Sequence, residues 1–230
     1  DYPDPNERLN FWDEFLAERA SIEDDSVPYA YLSEFDQGIY GAIVGGKVQF
    51  VSHPENGWIS SMVFPLIADW LEFEEIKKTN LSNNKWYYKY INQLDIFKGA
   101  KDKFGISHFI LIDSLNFIFE LRGATQTYYD LLDNTDKVKE AIDFAFMLNT
   151  FIQDIFFDKI GLLEGGTCSN LAQLVPGKVA SECVDPFHMT SIDYFENWGV
   201  EPVERIFEYY DGGVIHIHAT GVPLWVFFKS

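Results

Sequence analysis

Basic charge is what this chain has least of. Seventeen Lys and Arg stand against thirty-six Asp and Glu, a formal net charge of −19 over 230 residues. Only Arg8, Arg19, Arg122 and Arg205 are arginines. A field of that sign repels phosphate backbones and anionic lipid, so neither nucleic acid nor a membrane surface is an expected partner. Cysteine is nearly as scarce, with Cys168 and Cys183 alone. Two thiols in a chain this long make no disulfide scaffold. They favour a reducing compartment or a thiolate role, with a single disulfide left open. No apolar run approaches the ~18 residues that a membrane-spanning helix needs. The opening DYPDPNERLN is acidic and polar, without the features of a signal peptide, and the expected location is cytoplasmic. It also lacks an initiator Met, so a trimmed chain is expected.

Apolar mass, by contrast, is plentiful. Hydrophobic residues make up 47% of the chain, and 21 Phe, 12 Tyr and 6 Trp supply large surfaces to bury. The expectation is one domain over residues 1–230 with a sizeable core.

The elements alternate. Leu9, Trp12 and Leu16 share a helical face in 9–20, and SVPYAYLS reads as a short strand. EFDQGIYGAIVGG reads as a helix ending at a glycine pair, and KVQFVSHP as a strand. Residues 58–78 read as a loop entering a helix, 84–103 as a helix, and ISHFILIDSLN as an apolar strand. Residues 134–160 carry the clearest helical stripe, Val138, Ile142, Ala145, Leu148 and Ile152, with Asn134 or Thr135 as cap. A glycine loop at 161–166, the strand KVASECV, a helix over about 190–210 and the strand GGVIHIHATG complete the series. Strands alternating with helices predict an α/β fold on a parallel sheet, of the (β/α)8 TIM-barrel type. The last strand–helix units of an eight-fold barrel have no room before Ser230, so an incomplete C-terminus is expected.

GGVIHIHATG sets His216 and His218 on one strand face. Two neutral imidazoles there can bite one zinc ion, and Cys183, at the end of the apolar run SEC, is the best third ligand. Asp185 and Glu164, in loops at strand ends, could supply oxygen instead. The alternative is that the histidines hydrogen-bond in a polar pocket wall and that Cys183 is a small buried hydrophobe. Arg122, just before Gly123, could grip a substrate carboxylate through a bidentate pair, or could form an ion pair with an acidic side chain. His53 and His108 read as structural. GGTCSN lacks the lysine and the spacing of a phosphate loop.

FELRGATQTYYDLLDNTDKVKEAIDF, then KVASECVDPFHMTSIDYFENW with Phe195, then VIHIHATG follow one another over residues 105–221. In that order and spacing the chain resembles the uroporphyrinogen decarboxylase superfamily, which includes zinc methyltransferases that work with corrinoid proteins. The resemblance implies a barrel with its pocket at the strand C-termini, Asp185 at a polar strand-end position as general base or ligand, and often a homodimer. For Asp185 the alternative is ordinary helix capping in DPFHMT. His218 stands where those methyltransferases carry their first zinc thiolate, and their remaining cysteine ligand would fall beyond Ser230. The decarboxylases' Arg-rich N-terminal loop is missing, and Phe119 is nearest to the place of their tyrosine. A zinc-dependent methyltransferase-like enzyme is therefore expected, acting on a small methylated compound or a corrinoid-linked methyl group, with a corrinoid protein as a partner. Zinc would sit at His216, His218 and Cys183. A decarboxylase-type lyase acting through Asp185 and Arg122 is the second expectation, and a non-catalytic binding protein or remnant the third.

Overall fold

The computed structural model describes residues 4–32, 38–53, 58–108, 111–112 and 114–217. The chain opens with helix α1 (Pro5–Arg19), capped by the Asp4 carboxylate on Asn6 N–H. Strand β1 (Tyr29–Tyr31) follows, then the fully buried helix α2 (Gly38–Ile43). Strands β2 (Val48–His53) and β3 (Trp58–Val63) form an antiparallel ribbon. A 3-10 turn at Trp70–Glu72, with an Asp69/Glu72 capping box, leads into α3 (Phe73–Ile76). Helix α4 (Lys85–Lys98) starts at Asn84, whose side chain accepts from both Trp86 and Tyr87 N–H. Strand β4 (Gly105–Ser107) precedes three helices: α5 (Leu115–Arg122), α6 (Ala124–Asp133) and the long α7 (Thr135–Ile160). A second antiparallel pair, β5 (Gly166–Ser169) and β6 (Gln173–Pro176), comes before β7 (Ala180–Cys183). A 3-10 turn at Asp185–Met189, helices α8 (Ile192–Trp198) and α9 (Val200–Tyr209), and strand β8 (Gly213–His216) complete the described chain.

The fold is mixed helix and strand, with helices crossing between parallel strands. β1 pairs in parallel with β4, and β7 with β8. Leu111, just beyond β4, bridges in parallel to Glu182 of β7, its N–H donating to Ser181 O at 2.8 Å. The parallel segments thus neighbour one another in the order in which the chain visits them. The expected eight-fold barrel is not what the described residues form: their sheets have two strands each, and no barrel closes among them. The β5–β6 ribbon intrudes at β4, where His108 N–H donates to Cys168 O at 3.2 Å rather than to a parallel strand.

The helical stripe along α7 is the spine of the core. Val138, Ile142, Ala145, Leu148 and Ile152 are all buried, and they join one apolar cluster that runs from Ala30 to Tyr210. At about 25 cal/mol per Å2 of apolar area removed from water, this cluster supplies most of the drive to fold. Gly105 and Gly213 are among the glycines where neighbouring atoms leave no room for a Cβ. One added at Gly105 would lie 2.2 Å from Cys168 Sγ, and one at Gly213 would lie 1.9 Å from the Phe207 ring.

Several elements differ from the sequence expectation. Residues 58–63 are a strand rather than a loop, and β5 and β6 lie between the expected glycine loop and the strand KVASECV, where no element is expected. The helix expected over 190–210 breaks at Gly199, where Phe195 and Phe187 rings crowd the backbone. Asn134 stands at the N-cap of α7 without a side-chain cap bond, and its amide donates to Asp130 instead.

Candidate metal centre at the ends of β7 and β8

Parallel strands end at the same sheet edge, so neighbouring strands bring their last residues together. β7 and β8 lie in the register Ala180↔Gly213 to Cys183↔His216, which makes Cys183 and His216 direct neighbours on one face. Asp185 follows two residues later, at the start of the 3-10 turn. One ligand atom each from Cys183, Asp185 and His216 all lie within 4.8 Å of one another. Cys183 is 2% exposed, and the other two are half-buried. His218, the other half of the expected histidine pair, lies outside the described residues.

The edge is built from several directions. Asn116, near the start of α5, donates its side-chain N–H to Cys183 O at 2.5 Å and so fixes the end of β7. Tyr128 of α6 donates its hydroxyl to Pro186 O at 2.7 Å, holding the turn that carries Asp185. Phe187 in that turn is buried against Phe195 of α8, ring centroids 5.2 Å apart and edge to face. Ser114 introduces α5 at φ 54, a left-handed conformation unusual outside glycine, with its hydroxyl donating to Trp198 O at 3.1 Å.

Electrostatically this edge is negative. Burial pushes the Cys183 thiol well above its ordinary range, and the nearby Asp185 and Glu182 carboxylates push it further. The Asp185 backbone N–H works the other way, favouring the thiolate, while its carboxylate accepts from the thiol. Glu182, 1% exposed, lies at the next register position, opposite Ile215. A cation placed here would reverse the effect on Cys183, because a metal-bound thiol ionises readily.

The remaining sequence candidates fall elsewhere. Arg122 does not join the cluster. Its Nε donates to Asp130 Oδ2 at 2.8 Å, its Nη1 to the carbonyls of Ile67 and Ala68, and its Cζ lies 5.2 Å from the Trp70 ring centroid. Arg122 is 7% exposed and Asp130 fully buried, so the ion-pair alternative is the arrangement found. Burial alone would raise the Asp130 pKa, but hydrogen bonds from Arg122, Gln126 and Asn134 outweigh it and leave it lowered. Glu164 is exposed at φ 48 in the turn before β5, outside the donor group. The capping alternative for Asp185 is not realised, since Val184 holds the N-cap position and the turn has no side-chain cap bond.

His108 has the structural role expected of it. It is fully buried, with Nδ1 2.7 Å from Gln153 Nε2 and Nε2 3.1 Å from Ser181 Oγ. Burial lowers its pKa to about 4, so it is neutral at ordinary pH. GGTCSN likewise spends its polar groups inside the fold: Thr167 Oγ1 donates to Gly177 O, and Ser169 Oγ bonds with Ser181 Oγ. His53 lies in β2. Phe119 stands edge to face with Tyr128 at 5.6 Å. The sequence reading passed over His188, which sits beside Asp185 with Nδ1 3.6 Å from Oδ1. Its signal was the spacing Asp-Pro-Phe-His in DPFHMT, three residues apart across one tight turn.

Compared with protein-family models, with curated proteins and with solved structures, the chain matches none. Among the described residues, no helix is long and apolar enough to cross a membrane.

Proposed function

We propose that the chain binds a divalent transition metal, zinc by preference, at Cys183, Asp185 and His216, and that it acts as a methyltransferase-like enzyme on a small methylated compound. The observation that carries this reading is the convergence of a thiol, a carboxylate and an imidazole at one sheet edge. A soft sulfur, a nitrogen and one oxygen suit zinc, and three protein ligands leave a position open for substrate. The neighbouring negative groups favour a cation at the site and disfavour an anionic substrate. Zinc, when bound, would lower the pKa of a thiol and present it as a nucleophile toward a methyl group.

The chain's own residues do the rest. Asn116 holds the Cys183 carbonyl and Tyr128 holds the Asp185 turn, so the donors keep their spacing when substrate enters. With Arg122 committed to Asp130, the site lacks that guanidinium as a grip for carboxylates, which favours a neutral or cationic substrate such as a methylated amine. The same commitment weighs against the decarboxylase reading, which needed Arg122 at the substrate. Parallel segments adjacent in chain order are in keeping with part of a (β/α) barrel of the uroporphyrinogen decarboxylase type, and a methylated corrinoid protein would then be the alternative methyl donor, in place of the small methylated compound.

The deciding experiment is metal content and zinc affinity of untagged protein, wild type beside Cys183→Ser, Asp185→Asn and His216→Ala. About one zinc per chain, weakened in all three variants, supports the reading. A wild type that takes up no zinc refutes it and leaves the non-catalytic reading.

A further inference from the structure

Asp185 meets two histidines, not one. His188 Nδ1 lies 3.6 Å from Asp185 Oδ1, and His216 Nδ1 lies 4.0 Å from the same oxygen. They approach from different elements, His216 from the end of β8 and His188 from the 3-10 turn that Asp185 itself begins. Yet His188 is not one of the donors that lie within 4.8 Å of one another.

The local chain explains this placement. In a 3-10 turn, residues three apart eclipse one another, so Asp185 and His188 stack on one side. Pro186 restricts the backbone at the second position, and buried Phe187 anchors the turn against Phe195. Thr190 N–H and Oγ1 both donate to Phe187 O and close the turn. The His188 side chain is 9% exposed, so packing holds the imidazole where it is. A carboxylate that ligates a metal turns freely about its last bond unless a second donor holds it.

We infer that His188 is the positioning residue for Asp185, its Nδ1–H closing onto Oδ1 and fixing how the carboxylate faces an ion held by Cys183 and His216. This rests on the metal reading above. His188 contributes orientation and no bond to the metal, and Nδ1 must be the nitrogen that carries the proton.

The test uses the full chain with zinc alone, titrated against a chromophoric chelator, and with Co2+ as a spectroscopic probe. Asn carries an amide nitrogen at the place of a histidine Nδ1, whereas Leu fills similar space without a donor. His188→Leu is expected to lose about 10- to 100-fold in zinc affinity and to shift the cobalt ligand-field bands. His188→Asn recovers most of both, with circular dichroism melts following the fold of each variant. The inference is overturned if wild type binds zinc and His188→Leu binds it equally with an unchanged cobalt spectrum. Equal losses in Leu and Asn also overturn it, because they indicate a packing role. A wild type that binds neither metal overturns the metal reading itself, an outcome distinct from both.

Discussion

Glu120 offers the sharpest test of the packing around α2. It lies on α5 with its carboxyl against α2 and β3, and a Cβ placed on Gly41 would lie 2.5 Å from its Oε2. Burial pushes its pKa up to about 8, although the backbone N–H groups of Gly41 and Val63 favour the charged form. The folded state therefore holds the proton more tightly than the unfolded chain, where the carboxyl has its ordinary value of 4.5. A raised folded pKa gives stability that is complete below pH 4.5 and is lost as pH rises through about 8. At ~1.4 kcal/mol per pH unit across that window, the loss reaches at most about 5 kcal/mol. Glu120→Gln keeps the shape and removes the titration. The variant should gain on wild type steadily from about pH 6.5 to 8 and level off above; His108 is present in both proteins, so its titration cancels in the comparison. Urea unfolding of both proteins at four or five pH values measures the difference directly, and the charge of the rest of the molecule cancels. A constant offset between the two proteins across that range would show that Glu120 carries no buried proton, and the reasoning fails.

Other consequences follow from the same geometry. His108, lowered to about 4 by burial, contributes stability present above its ordinary 6.5 and lost as pH falls toward 4. His108→Gln should therefore flatten the acid limb of the wild-type stability profile, as seen by thermal melts between pH 4 and 7; an unchanged acid limb counts against a buried neutral imidazole. Arg122→Met leaves Asp130 as an unpaired buried carboxylate and should cost about 3–5 kcal/mol in urea unfolding. The double variant Arg122→Met/Asp130→Leu should recover most of this, and a double variant no better than the single would contradict the ion-pair account. Gly213→Ala drives a methyl into Phe207 and should lower stability by about 1–3 kcal/mol, with partial rescue by Phe207→Leu. Zinc at saturating concentration should raise the melting temperature of wild type and not of Cys183→Ser.

Local pattern decides what is local. The 3.6-residue stripe of α7 and the apolar run of β7 are properties of short windows, and their elements formed as expected, whereas of the strand expected over 106–116 only the start lies in β4 and Leu115 and Asn116 already belong to α5. Residues 58–63 carry Ser60 and Ser61 and little strand signal of their own; pairing with β2 makes them a strand. The same division runs through the site. A histidine at 216 and a thiol at the end of SEC were visible as metal-ligand chemistry from residue types alone. That Cys183 lies opposite His216 depends on the register of two strands about thirty residues apart, which no local window contains. Asp185 joins the donors and Glu164 does not because one leads out of β7 at the shared edge and the other turns into β5. Arg122 looked available in the sequence because its partner is chosen by the packing of α5 on α6, which sets Asp130 within 2.8 Å of it. The sequence by itself determined the long helix α7, its core stripe and the chemical character of the donors. Tertiary structure alone decided which donors meet, because strand register and helix packing join residues that the chain keeps far apart.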